Sequence, residues 1–349
     1  NYYNINGTEA CTFYMCNQDS KKAKTPVAMR LNNVPALNSG VVSRQRTNKA
    51  GNEIYIVDAH SAPNIIREIG RLREISFRAG GGGTGKSCDI DEFDTMPTPC
   101  RQLFVWNPQE REIIGAYRYL LGKDMVIDPD GTPHIAMSHM FRFSSEFMIH
   151  YLPITIELGR SFVRPEYQSA NKGAKSIFAL DNLWDGLGAL TVLHPDAKYL
   201  LGKMTMYPSY QRKCRDLLLH FLRLYFPDRN ALVTPIEPLM PDTPAARTEH
   251  FFVGNDFKED YRRLNQFIRS HGINIPPLVN AYMGLSPTMK VFGTAINDDF
   301  GDVEETGILI AVDEILAEKR MRHINSFVKE HPETIGVLRD VLTPPLIKR

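Results

Sequence analysis

Cysteine is scarce in this sequence: 349 residues carry five, Cys11, Cys16, Cys88, Cys100 and Cys214. An odd number without zinc-type spacing argues against a disulfide framework and a structural zinc site, and points to free thiols in a reducing cytoplasm. Cys11 and Cys16 would pair only if that stretch were exported. Long apolar runs are missing too. No segment reaches the ~18 apolar residues that span a bilayer, and the first residues lack the basic, apolar and small-residue succession of a signal peptide, so a cytoplasmic protein is expected. There is no surplus of one charge. Forty-one Lys and Arg against 40 Asp and Glu leave +1, which removes the electrostatic footprint of a dedicated nucleic-acid binder. The ten histidines include no H-x-x-x-H or H-E-x-x-H spacing, so no metal is expected. No G-x-S-x-G or Ser-His-Asp pattern occurs, so no covalent acyl-enzyme is indicated.

What is present is globular: 43% hydrophobic and 23% charged residues suffice for a sizeable core. Residues 1–50 are polar and show neither helical nor strand periodicity, and they read as an N-terminal extension. The first 51 residues hold seven basic side chains and two acidic ones, a net +5, so the remainder carries 1 − 5 = −4. From residue 53 the pattern predicts a short strand at 54–56 and an amphipathic helix over 63–78 opened by Pro63. An antiparallel pair at 102–106 and 112–121 follows, then a short helix at 144–150, a strand at 154–163 and a helix at 175–190. A strand at 199–207 and a helix at 210–225 lead into a proline-dotted irregular stretch, 227–244. A charged helix at 256–270, two strands at 290–296 and 306–312 and a helix at 317–329 complete the chain. This order predicts an α+β fold, a mixed, mainly antiparallel sheet flanked by helices.

Gly80 to Ser87 reads GGGGTGKS and satisfies the P-loop pattern letter for letter. A phosphate-binding loop needs a buried strand before it and a helix after it. Here a helix precedes it, and the following stretch holds Asp89, Asp91, Glu92 and Asp94 with two prolines. The nucleotide reading is therefore set aside in favour of a flexible linker or lid.

Four segments carry the chemistry: REISF at 73–77, DIDEFD at 89–94, GAYRYLL at 115–121 and ELGRSFV at 157–163. In that order they resemble the GNAT-fold N-acyltransferases that take a fatty acyl chain from acyl carrier protein. These include the acyl-homoserine-lactone synthases and the ornithine- and glycine-lipid N-acyltransferases, the glycine-type branch being the nearer match. The resemblance covers about residues 53–315. It implies a GNAT-like domain over 51–315 with insertions near 123–150 and 226–275, and a helical tail at 316–349. Some relatives carry the label haemolysin-like, but no long amphipathic or membrane-spanning segment supports pore formation. The synthases have a tryptophan where this chain has glycines between the first helix and the acidic loop, which argues against lactone chemistry.

The resemblance implies transfer of a (3-hydroxy)fatty acyl group from acyl carrier protein to the α-amino group of a small amino acid in aminolipid biosynthesis. Glycine is the first choice, and ornithine or another amine the alternative. A non-catalytic GNAT-like module and a P-loop protein are the rivals from other classes. No tightly bound cofactor is implied: the co-substrate is a phosphopantetheine thioester on acyl carrier protein or CoA. The basic extension suits an acidic carrier protein or peripheral contact with an anionic inner-membrane leaflet.

Amide formation from a thioester needs an unprotonated amine and an oxyanion donor. Glu157 is either the base, directly or through water, or a strand carboxylate paired with Arg160 or Arg118. Arg118 and Arg160 either hold the acceptor carboxylate or pair with Asp91 and Asp94 of the acidic loop, with Arg73 a further partner and Phe77 beside them. The family resemblance favours the loop for at least one of the arginines. Phe162, Val163, Gln168, Lys172, Gly173, Ala174 and Lys175 are assigned to the donor's phosphopantetheine, because a helix start offers amides to a phosphate. That turn is stretched relative to the acetyl-CoA enzymes of the fold, which suits a donor with a single phosphodiester. Phe162, Phe178, Met204 and Met206 are either core or the lining of an acyl tunnel.

Overall fold

A computed structural model describes residues 3–5, 9–11, 43–47, 51–168, 174–243 and 250–324. The chain divides into two compact units, each made of two stretches: 1–119 with 160–190, and 120–159 with 191–349.

In the first unit, β1 (Tyr3–Ile5) and β2 (Glu9–Cys11) form an antiparallel pair. Separately, β3 (Ser43–Arg46), β4 (Glu53–Val57), β5 (Arg101–Asn107) and the greater part of β6 (Glu112–Leu121) form an antiparallel meander. The extension thus contributes strands that its sequence does not announce. The reason is that β3, SRQR, has no apolar alternation and is joined to β4 through its backbone. Tyr55, Leu103, Phe104, Val105 and Trp106 are wholly buried, each large apolar side chain contributing about 1.5–3 kcal/mol of transfer free energy. Helix α1 (Pro63–Gly80) begins with proline in its first turn, where the missing amide hydrogen costs nothing. It ends at Gly81, whose φ of 97° takes the left-handed conformation that closes a helix. A single turn, α2 (Glu92–Thr95), is closed by a capping box between Asp91 and Asp94.

Helix α3 (Ala174–Leu193) is buried from Asn182 to Val192 on all sides, rather than on one face. Its Gly186 lies against Leu103 of β5, 2.5 Å from where a β-carbon would stand. Gly115 of β6 is needed for a similar reason: a β-carbon there would lie 2.4 Å from the Phe162 carbonyl oxygen.

In the second unit, the first residues of β8 (Thr155–Val163) pair parallel with β9 (Tyr199–Met206). Strand β9 then pairs antiparallel with β12 (Val303–Ala311), and β12 with β11 (Lys290–Asn297). The other strand ladders described above and below are antiparallel, and an isolated parallel bridge joins Pro227 to Val291, which makes the strands mixed and mainly antiparallel, as expected. The parallel ladder stops at Glu157↔Leu201 although both strands continue. A separate two-stranded ribbon joins β7 (Phe141–Phe143) to β10 (Val233–Pro235), the latter inside the stretch 227–244 expected to be irregular. Strand β12 starts at Val303, earlier than expected, because Glu304 and Glu305 are buried strand residues rather than a turn.

Helix α4 (Arg212–Tyr225) packs with α5 (Phe257–Ser270) through Phe221, Tyr225, Phe257 and Tyr261. Asp260 accepts hydrogen bonds from the Val253 and Gly254 amides and from the Tyr225 hydroxyl. Two short helices, α6 (Pro277–Met283) and α7 (Ala317–His323), follow. The expected helix at 144–150 is instead a π-helical turn over Phe147–Tyr151 that passes into a 3-10 turn. Pro153 has no amide hydrogen to continue an α-helix.

Candidate active site

In the first unit the acidic loop is enclosed by three arginines from three elements. Arg73 of α1 sits fully buried, with Nη1 2.9 Å from Asp94 Oδ2. It also donates to the Asp89 carbonyl and to Gln102 Oε1, and Gln102 returns a bond from Nε2 to Asp94 Oδ1 at 2.8 Å. Arg118 of β6 donates to Asp91 Oδ1 at 2.6 Å and Asp94 Oδ2 at 3.2 Å, and lies 5.6 Å above the Phe93 ring. Arg160 of β8 places Nε 2.9 Å from Asp89 Oδ2 and Nη2 3.6 Å from Asp91 Oδ2. Arg160 has φ of 47°, a left-handed conformation within a strand and the form of backbone strain that persists where surrounding contacts fix it.

The cluster balances three carboxylates against three guanidinium groups. Burial alone would raise Asp94, yet the Arg73 and Arg118 charges outweigh it and hold its carboxyl well below the usual range. Asp89 is pushed the other way, burial exceeding the help of Arg160, Arg73 and Arg118. Burial also weakens Arg118's charged form, but Asp94 and Asp91 more than restore it. Phe77 and Phe162 meet edge to face at 6.4 Å. Asp89 and Gln102 are members that the sequence reading left unassigned. Gln102 carried a signal, an amide in an otherwise apolar strand.

The glycine-rich segment is a folded loop tied back to α1, which corrects the expectation of a flexible linker or lid. Glu74, almost wholly buried, accepts from the Thr84 amide at 3.0 Å, the Thr84 hydroxyl at 2.8 Å and the Gly85 amide at 2.9 Å. Arg78 donates to the same carboxylate at 2.6 Å. Gly83, at φ of 103°, allows this approach: a β-carbon would stand 3.1 Å from Glu74 Oε1. Loop amides that a P-loop would offer to phosphate are occupied by a carboxylate of the protein itself.

Beyond β8, Arg164 bonds Glu112 at 2.7 Å, Tyr167 donates to the same carboxylate, and Gln168 donates to the Val163 carbonyl. These contacts fix the turn that leads toward α3. Of the residues assigned to the donor, Lys172 and Gly173 lie outside the described residues, and Ala174 and Lys175 are described as backbone at the start of α3. Val163 ends β8.

In the second unit Glu157 is buried on β8 opposite Leu201, at the last rung of the parallel ladder. Met204 and Met206 are buried on β9. Lys203 of β9 reaches Glu305 of β12, Nζ to Oε2 3.4 Å. On the same strands Glu304 is held by Arg212 and Arg215. The His139 imidazole is partly desolvated and lies near Lys203, which together hold its pKa below the ordinary value. The sequence reading assigns no role to Lys203, Glu305 or His139; only Lys203, a charge within the expected strand 199–207, carried a signal. Among the described residues no group of three His, Cys, Asp or Glu side chains could hold a metal ion. No helix among them is long and apolar enough to cross a membrane.

Residues 72–175, which contain the acidic loop, all three arginines and Glu157, match the acetyltransferase (GNAT) domain family. Over 304 residues, 86% of this chain and 90% of the relative, the sequence is 60% identical to the glycine Nα-acyltransferase of Bacteroides thetaiotaomicron. Over 291 residues, 83% of this chain and 89% of the relative, it is 60% identical to that of Phocaeicola vulgatus. The chain belongs to the glycine Nα-acyltransferase family. It is an acyltransferase with a GNAT domain, the class that the order of its four segments implies. Among solved structures, the CoA-dependent acyl-homoserine lactone synthase BjaI aligns with 79% of this acyltransferase and 87% of its own chain, at 10% identity and a TM-score of 0.34. The acyl-homoserine lactone synthase LasI aligns with 45% and 74%, at 15% identity and a TM-score of 0.30. Scores at this level establish no shared fold.

Proposed function

We propose that this acyltransferase moves a fatty acyl group, 3-hydroxylated in the preferred donor, from a phosphopantetheine thioester on acyl carrier protein to the α-amino group of glycine. The product is an N-acylglycine, a lyso-aminolipid precursor made at the cytoplasmic face of the inner membrane. The observation that carries this reading is 60% identity to glycine Nα-acyltransferases across about nine-tenths of their length. The acceptor nitrogen attacks the thioester carbonyl, a C–N bond forms, the C–S bond breaks, and the pantetheine sulfur leaves as thiol. Glu157 takes the proton that the amine must lose, directly or through water. Arg73, Arg118 and Arg160 act through Asp89, Asp91 and Asp94, holding the acidic loop in one shape. Phe162, Val163, Gln168, Lys172, Gly173, Ala174 and Lys175 receive the donor's pantetheine arm, its phosphodiester at the start of α3, where a helix offers free amides.

The test is incubation of purified protein with 3-hydroxyacyl carrier protein or 3-hydroxyacyl-CoA and a panel of glycine, ornithine and other amines, followed by mass spectrometry. N-acylglycine from the carrier-protein donor is expected. No N-acyl product with any pair would sink the enzyme reading, and a faster CoA reaction would overturn the donor assignment. Glu157→Gln is expected to lower turnover by about 10²-fold; near-normal rates would return Glu157 to a structural role.

A further inference from the structure

The strand registers of the second unit place four polar side chains on one face. Glu157 stands opposite Leu201, and Lys203, two residues along β9, points the same way. Glu305 stands opposite Thr205, and Asn297, two residues from the partner of Glu305 on β11, completes the row. Around them the face is small or apolar: Leu201, Gly307 opposite Lys203, and Ala295 opposite Glu305.

A lysine in such a place has more donors than its surroundings use. Its ammonium carries three, and its ion-pair partner is a single Glu305 oxygen at 3.4 Å. The lysine side chain is 12% exposed, so water has little access to its remaining donors. His139, solvent-exposed as a residue, marks where the cluster meets water. Buried donors left unsatisfied are costly, and an anion that accepts from them recovers that cost. From Glu157 to Lys203 the backbone separation is about 8 Å, one interstrand step combined with two residues along the strand. A carboxylate and an ammonium on one face, at that spacing, suit a zwitterion with one carbon between its charges.

We infer that Lys203 anchors the α-carboxylate of the acceptor amino acid. One Nζ hydrogen stays directed at Glu305 while the others bind the carboxylate, which turns the α-amino group toward β8 and Glu157. Amines, amides and esters, which lack the anion, are rejected. This inference rests on the glycine-acceptor reading above, and it specifies what that reading leaves open, how the acceptor is held.

The experiment compares glycine with glycinamide and glycine methyl ester, using the full chain and the carrier-protein donor. Both analogues lose their amine proton more readily than glycine, so a preference for glycine reports carboxylate recognition and not nucleophile ionisation. The wild type is expected to favour glycine in kcat/KM by about 10²-fold, the scale of a charge-assisted contact. Lys203→Met is expected to raise KM for glycine and bring that ratio near one. The double variant Lys203→Met/Glu305→Gln, which leaves no orphaned carboxylate, should do the same, and Lys203→Arg should keep part of the preference. A wild type indifferent to the carboxylate would overturn the proposal, as would a Lys203→Met enzyme that keeps its preference. A wild type that makes no N-acylglycine at all would overturn the acceptor reading instead, so the two failures are distinct.

Discussion

Asp94 is where charge and burial are most closely opposed. Its side chain is inaccessible to water and is kept ionised by Arg73 and Arg118, which outweigh desolvation. Removing one partner of such a pair leaves an uncompensated buried charge, a loss of about 3–5 kcal/mol. The direction of the pH dependence follows from the shift. A carboxyl whose folded pKa lies below its unfolded value, about 3.9, contributes stability that is present above that value and is lost as pH falls through the folded one. Asp94→Asn is therefore expected to be less stable than the wild type at neutral pH, with the gap narrowing below about pH 4. Urea unfolding midpoints at a series of pH values measure this. A gap that stays constant down to about pH 3 would show that the ionised form of Asp94 is not the stabilising one.

Between α1 and α2 the chain makes a loop whose shape depends on one helix residue. Gly81 ends the helix and Gly83 permits the close approach, but the Glu74 carboxylate gathers the Thr84 and Gly85 amides. Glu74→Ala should release them, and amide exchange at Thr84 and Gly85 should quicken by about tenfold or more, the equivalent of roughly 1.4 kcal/mol. Unchanged exchange would mean that the loop holds its own shape. Lys86→Ala should leave acylation unaltered, and the parent protein should not bind ATP. The element boundaries tell a similar story. Helix α1 was legible from Pro63 and its apolar spacing, whereas β3, β7 and β10 were not, because short strands made of polar or mixed residues are held by backbone bonds that leave no pattern in the side chains.

For the whole molecule the near-zero net charge conceals an uneven distribution. Of the seven basic residues near the start, Lys21, Lys22, Lys24 and Arg30 precede β3, along with Glu9 and Asp19, so residues 1–41 carry 4 − 2 = +2. A truncation beginning at Val42 keeps β3 paired with β4. If that basic stretch attracts an acidic carrier protein, the truncated enzyme should be slower at low ionic strength, and the difference should fade as salt shortens the screening length to about 3 Å near 1 M. Steady-state rates at several salt concentrations decide it. Salt-sensitive activity that survives the truncation would place the docking surface elsewhere.

Local order was written in the chain: the helix at Pro63, the strand at Glu112, the four motif segments in sequence, and hence the acyltransferase class. These depend on periodicity and residue type, which act over a few positions. The partners of the motif residues were not decided there. Glu74 could not be matched to Thr84, nor Arg73 to Gln102 29 residues away, nor Lys203 to Glu305 across two strands. Charged residues have many possible mates along a chain, and which pair forms is settled only when burial removes water and sheet register brings particular side chains to one face.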